Sequence, residues 1–264
     1  MRAQVDRSLA LELEFDKVLE LIAAHARTRV GRVVVCDLAL PIADAPERAR
    51  SALLTMAVED LIEEGGMLSL AGVDEAVPWL EKDAPPPSEP RDLVALLTLA
   101  RRVAAIRRRL EAADNRQFDD VLRQLADTSD LVDRVAPKLA RDGTIADNAS
   151  PELARLGREI ARARSEVLAE LEAVRRGNRE IVTDAPPTIR RDRYCLPVRS
   201  SARAQLAGLL LDVSARGATS FVEPIGVVEL NNRLASAFAG EAREIQRILH
   251  EIARLFADVR DDLV

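Results

Sequence analysis

Two long stripes of apolar residues at helical spacing, with a short β-prone stretch between them, constrain this 264-residue chain more than any other feature. The first stripe is Leu153, Leu156, Ile160, Val167, Leu168, Leu171 and Val174, with charge on the remaining faces. That pattern marks a helix that buries one side only. Ser150 stands ahead of it as an N-cap, and Pro151 takes the first helical position, where a missing N–H costs nothing. A helix over 150–176 would be about 40 Å long. The second stripe is Leu230, Leu234, Phe238, Ala242 and Ile245, continuing through Leu249, Ile252, Phe256, Val259 and Leu263. From Ile245 onward its steps alternate between four and three, the coiled-coil period.

Between the stripes, Tyr194, Leu196 and Val198 alternate, and 206–213 and 218–222 are β-prone. Ser214-Ala215-Arg216-Gly217 breaks the last two as a hairpin turn. The spacing therefore predicts one long helix out, a small antiparallel β element at its tip, and one long helix back, the two arms pairing as an antiparallel coiled coil.

The first half reads as shorter helices. Leu13, Val18, Leu19, Ile22 and Ala26 recur at helical spacing, with Gly31 as the stop, and a second helix covers 46–64, closed by Gly65-Gly66. Ser88 is the expected cap of a third, which follows Leu93, Leu96, Leu97, Ala100, Val103, Ala104 and Leu110. Two weaker helices are expected over 115–127 and 129–139, and Asp142-Gly143 is a turn signal.

Charge is distributed unevenly. The chain carries −6 overall, yet residues 175–216 hold nine Arg against four acids, a segment of +5 attached to a remainder of −11. Guanidinium groups pair with phosphate in a two-pronged fork that needs no base identity. Seven aromatic residues in the whole chain are too few for a set of base-stacking platforms. Any nucleic acid held here is expected to be held by its backbone. The second Arg run, Arg101-Arg102 and Arg107-Arg108-Arg109, reads as a source of intramolecular pairing.

Catalytic and metal signatures are missing from the sequence. No Gly-rich phosphate loop, dinucleotide fingerprint, zinc-protease or serine-elbow motif occurs, and His25 and His250 are isolated. The pairs Asp119-Asp120 and Asp261-Asp262 fall on expected helical surface. No catalytic residue and no metal ligand is assigned. Cys36 and Cys195 are too far apart in sequence for a zinc spacing or a disulfide framework, and both are expected to be small buried or half-buried side chains. No apolar run approaches a membrane span, and the first residues do not read as a signal or transit peptide, so no membrane partner and a cytoplasmic location are expected.

Five segments, in this order, carry a resemblance. They are Leu11-Glu12-Leu13-Glu14-Phe15-Asp16-Lys17, Asp147-Asn148-Ala149-Ser150-Pro151-Glu152-Leu153, Arg193-Tyr194-Cys195-Leu196-Pro197-Val198, Ser214-Ala215-Arg216-Gly217-Ala218-Thr219-Ser220-Phe221-Val222-Glu223-Pro224 and Val228-Glu229-Leu230-Asn231-Asn232. The chain resembles the N-terminal part of the second bacterial branch of the MutS family, the endonuclease-type paralogue with a C-terminal Smr domain. It departs from that pattern at Leu211, where the family usually has His, and at Arg216, where it usually has Ser.

The resemblance implies a mainly α fold: a helical core domain plus long antiparallel lever helices carrying a small antiparallel β clamp at the tip. It assigns 1–145 to the core, 146–180 to the outgoing lever, 181–225 to the clamp and 226–264 to the returning lever. It also implies a homodimer whose ATPase and Smr nuclease domains lie beyond Val264, so that ATP and Mg belong to the missing part and none is expected in this segment. The chain is accordingly expected to be a fragment of an ATP hydrolase and endonuclease. The implied function is engagement of branched or duplex DNA through the backbone, suppressing recombination, with Arg190, Arg191, Arg193, Arg199, Arg203 and Arg216 as the contacts. Two alternatives stand beside it: a clamp for collided ribosomes, meeting ribosomal RNA or protein, and a purely structural module dimerising through the heptads at 245–263.

Overall fold

A computed structural model describes residues 14–37, 45–81, 84, 86–87 and 89–260. Leu11, Glu12, Leu13, Ser88, Asp261, Asp262, Leu263 and Val264, named above, lie outside the described residues. The structure is mainly helical with one four-stranded antiparallel sheet. It divides into two compact units, one drawn from Met1–Thr144 and Leu249–Val264, the other Ile145–Ile248.

In the first unit, α1 (Phe15–Ala23), α2 (Arg29–Cys36), α3 (Ala45–Gly65), α4 (Pro90–Ala112), α5 (Asp119–Gln124) and α6 (Ser129–Val135) follow one another. Gly31 does not stop the first helix. It lies inside α2, whose N-cap Thr28 accepts a bond from the Gly31 N–H on its side-chain oxygen. The cap of α4 is Glu89, whose own N–H donates to Asp92 in the first turn. The weak helix expected over 115–127 is a 3-10 turn followed by the six-residue α5.

Phe118 is 1% exposed and packs with Ala57, Leu61 and Leu110, joining α3 to α4. Four side chains of the second Arg run, Arg102, Arg107, Arg108 and Arg109, donate to carbonyls inside this unit. Arg107 donates to the carbonyls of Leu122 and Leu125, and Arg109 to that of Leu61, supplying donors to carbonyls near the ends of α5 and α3.

The second unit is built on α7 (Pro151–Gly177) and the first part of α8 (Ile225–Asp258). Ser150 caps α7 by accepting from the Leu153 N–H, and its hydroxyl donates to Glu244 on α8 at 2.6 Å. Farther along, Glu166 accepts from Arg233, and a Cβ at Gly240 would lie 2.9 Å from Leu156. These pairs run in opposite directions along the two helices, so α7 and α8 are antiparallel partners.

The seam of α8 differs from the stripe read in the sequence. Its buried residues in this unit are Val227, Asn231, Leu234, Ala237, Glu244 and Ile248, while Phe238 is 39% exposed and Ala242 is exposed. Close helix approach selects the small residues Ala237 and Gly240 at the contact and turns the larger Phe238 outward. In the part of α8 that belongs to the first unit, Ile252 and Phe256 are buried within the chain itself, and Glu251 pairs with Lys138.

Four strands fill the span between the helices: β1 (Thr188–Arg190), β2 (Arg193–Arg199), β3 (Gly208–Val213) and β4 (Thr219–Pro224), in the spatial order β1-β2-β4-β3. β2 and β3 both run antiparallel to β4, so a crossover is needed between them. The 3-10 stretch Ser200–Gln205 supplies it. One face of the sheet, with Leu196, Val198 and Val222, shares a buried core with Ile160, Val167, Leu171, Val227 and Leu234 of the helices. Leu211 is an extra residue on β3, where the register slips between Leu210 and Asp212 as a bulge.

Candidate nucleic-acid interface

The six candidate Arg side chains are distributed along β2 and its flanking turns. Strand pairing fixes the sides. Arg190 faces Arg193, Thr188 faces Cys195, Pro197 faces Phe221 and Arg199 faces Thr219. Side chains alternate along a strand, so Arg190, Arg193 and Arg199 share the face opposite the buried core, together with Phe221 and Glu223 of β4 and Asp212 of β3.

The two ends of β2 are about 20 Å apart at the usual rise per residue. Arg190, Arg191 and Arg193 lie at one end, Arg199 and Arg216 at the other, with Arg203 in the crossover.

Their environments differ sharply. Arg193 is fully engaged inside the unit. Its Nε donates to Glu223 Oε2 at 2.7 Å, and its Nη2 donates to Glu223 Oε1 at 2.6 Å, to the Val228 carbonyl and to Asn232. Arg190 reaches across β2. Its guanidinium lies 4.1 Å from the centre of the Phe221 ring, and its Nε is 3.5 Å from Asp212. Arg191, Arg199 and Arg216 are exposed and make no side-chain hydrogen bond or ion pair among the described residues. Arg203 is half-buried, with its Nε unpaired.

Local sequence explains these placements. Arg191 and Asp192 both have positive φ, 49° and 60°, as the central pair of a type I′ hairpin demands, and they join β1 to β2 in two residues. The sequence hides this turn, because Arg-Asp replaces the usual Asn-Gly. The turn with Arg216 is the one expected: Gly217 takes φ 69°, its N–H donates to the Ser214 carbonyl, and the Thr219 N–H donates to the Ser214 side chain.

The residues that sequence reading did not single out form the joint between the sheet and α8. β4 ends at Pro224, which has no N–H to continue the ladder beside Tyr194. The Asn231 side chain takes over. Its Nδ2 donates to the Tyr194 carbonyl at 2.9 Å, and its Oδ1 accepts from the Tyr194 N–H at 3.2 Å. The same Nδ2 donates to Glu223, which is fully buried. The quoted segments around Arg193, Glu223 and Asn231 therefore meet at one polar core. A buried acid facing an Arg thirty positions away leaves no periodic signal in one sequence.

Cys195 is fully buried on β2, and burial pushes its thiol up to about 11. Cys36 is exposed, contrary to the expectation of burial, because α2 buries none of its residues. Among the described residues no group of three or more His, Cys, Asp and Glu can hold a metal ion, and none of the helices is long and apolar enough to cross a membrane. A cleft of about 280 Å³ in the first unit, beside Leu125, Thr128 and Leu131, has Arg123 and Asp127 as its charged lining. Arg123 pairs with Asp120, and Asp127 accepts from the Ser129 N–H.

No protein-family model matches the chain. Curated proteins do. A protein of Thermus thermophilus named Endonuclease MutS2 is 33% identical over 254 residues, 93% of this chain and 32% of the relative. This chain is similar to one third of an endonuclease MutS2. A protein of the same name from Clostridioides difficile is 28% identical over 260 residues, 96% of this chain and 33% of the relative. One from Halalkalibacterium halodurans reaches 46% over 99 residues, 37% of this chain. The match spans about a third of the length of the first two relatives and 13% of the third.

Proposed function

We propose that the sheet of the second unit holds branched or duplex DNA by its phosphate backbone, as the engaging part of a MutS-family ATPase and endonuclease that suppresses recombination in the cytoplasm. Arg191, Arg199 and Arg216 carry this reading. Each is an exposed guanidinium with no intramolecular ion pair among the described residues. A guanidinium without an internal partner needs no internal bond broken before it meets a phosphate, and its two-pronged fork matches one.

Arg190 and Arg203 flank these three, and Arg193 has a different task, holding the sheet to α8. Backbone contact also suits a sheet face on which Phe221 is the only aromatic ring. The relatives' name, an endonuclease, supports nucleic acid as the partner; ATP, Mg and homodimerisation belong to the proposal only through the resemblance to the MutS family.

The experiment is retention of the 264-residue chain on a four-way DNA junction, a linear duplex of equal length, and stalled ribosomes, each with and without Arg191, Arg199 and Arg216. Junction or duplex binding that needs the three Arg supports the proposal. Capture by ribosomes alone moves the reading to ribosome engagement. Binding that ignores the three Arg removes the sheet from the mechanism.

A further inference from the structure

Arg190 is a long cation that already has an acid and a ring. It leaves β1, crosses β2, and places its guanidinium 4.1 Å from the centre of Phe221 on β4. Its Nε is 3.5 Å from Asp212 Oδ2 on β3, a looser approach than the 2.6–2.7 Å that joins Arg193 to Glu223. Nη1 donates to the Ile189 carbonyl at 2.8 Å. Asp212 keeps its other oxygen on the Val213 N–H at 2.8 Å, which fixes the carboxylate at the bulge and aims it across the sheet face.

Both partners of this pair are open to solvent, with side-chain exposures of 38% and 48%. The carboxylate thus occupies the position that a phosphate oxygen would take over the same guanidinium. An exposed, loose ion pair contributes little to stability, so exchanging one anion for another costs little.

We propose that Asp212 is an internal stand-in for phosphate, parking Arg190 on Phe221 until a nucleic-acid backbone displaces it. The inference rests on the backbone-binding reading above and adds a residue that sets its strength. Arg190 becomes a reserve contact, made only by a backbone that lies across the outer sheet face. Contact with Arg191, Arg199 or Arg216 alone does not recruit it. The acid also discourages weak anions from settling there, since any anion must first compete with a tethered carboxylate.

The test is fluorescence anisotropy of the 264-residue chain with a labelled four-way junction over a salt series, using Asp212→Asn, Arg190→Ala, the double variant, and Asp184→Asn as a charge control. Asp212→Asn keeps the oxygen that accepts from Val213 and loses only the charge. It should bind about two- to fivefold tighter than the unaltered chain at low salt, the range set by one exposed ion pair. Its slope of log affinity against log salt should steepen by up to about 0.9, one extra phosphate.

The gain should vanish when Arg190 is Ala, and Asp184→Asn should give a clearly smaller one. Amide and Arg Nε–H NMR should show the Arg190 signal leave its ring-shifted position when Asp212 is Asn or when DNA is added. If the unaltered chain binds and Asp212→Asn binds no better, or gains equally without Arg190, the stand-in is overturned while the backbone reading stands. If no variant binds at any salt although all are folded by circular dichroism, the backbone reading fails, and this inference fails with it.

Discussion

Arg193 and Glu223 form a two-pronged ion pair, at 2.7 and 2.6 Å, in which the Glu223 side chain is wholly buried and that of Arg193 is 25% exposed. The pair joins the start of β2 to the end of β4, and Arg193 extends the bond network to the Val228 carbonyl and Asn232 on α8. These bonds tie the sheet to the first turns of α8. Removing one partner leaves a buried charge without its counter-ion, which is far costlier than losing a surface pair. Arg193→Ala should therefore destabilise the chain by about 3 kcal/mol. Guanidinium chloride unfolding checks this. Replacing both residues, Arg193→Met with Glu223→Leu, should recover much of the loss. A single variant as stable as the unaltered chain would show that the pair is not a structural joint.

A second prediction concerns the pin between α7 and α8. Ser150 both caps α7 and donates to Glu244, while Arg247 donates to Glu244 twice. The Arg247 bonds and the Ser150 bond hold the Glu244 carboxyl down at about 2, below its ordinary 4.5. A depressed carboxyl stabilises the fold fully above its ordinary value and loses that contribution as the pH falls through the folded value. Thermal melts should therefore show the unaltered chain losing its advantage over Glu244→Gln between about pH 4.5 and pH 2. Ser150→Ala should cost about 1 kcal/mol at neutral pH through the lost cap. A pH-independent gap between the unaltered chain and Glu244→Gln would contradict the pin.

Much of the helical frame was legible in the sequence, and for identifiable reasons. Ser150-Pro151 marks the start of α7 because both residues act locally, and Leu153, Leu156, Ile160, Val167 and Leu171 are buried as their spacing requires. The α8 seam was misread because size was taken for burial. Where two helices come close, Ala237 and Gly240 face the partner and Phe238 turns out. Local chemistry also exposed the Ser214–Gly217 turn, yet it concealed the Arg191-Asp192 turn, where Asp tolerates positive φ but Arg does not favour it and no Gly marks the position. The candidate interface was legible as a charge count and no further. Counting could not tell that Arg193 is tied to Glu223, that Arg190 faces Asp212, or that Arg191, Arg199 and Arg216 have no ionic partner among the described residues, because partners were set by strand order across gaps of twenty to thirty residues.

The two cysteines should separate chemically. Cys195 is buried and its thiol lies near 11, while Cys36 is exposed. The thiolate is the reactive form, so burial and a raised pKa both suppress attack. Brief iodoacetamide treatment of the folded chain at pH 8, read by peptide mass spectrometry, should alkylate Cys36 and spare Cys195. Equal labelling would show that β2 opens readily to solvent.

The proposed contact is between the exposed Arg side chains of the sheet and phosphates. It is tested most directly by the salt dependence of junction binding for the unaltered chain and for the triple variant Arg191→Ala, Arg199→Ala, Arg216→Ala. Each phosphate contact on duplex DNA contributes about 0.9 to the slope of log affinity against log salt, so the triple variant should bind more weakly with a slope shallower by about 2.7. An unchanged slope in a folded triple variant would contradict the claim.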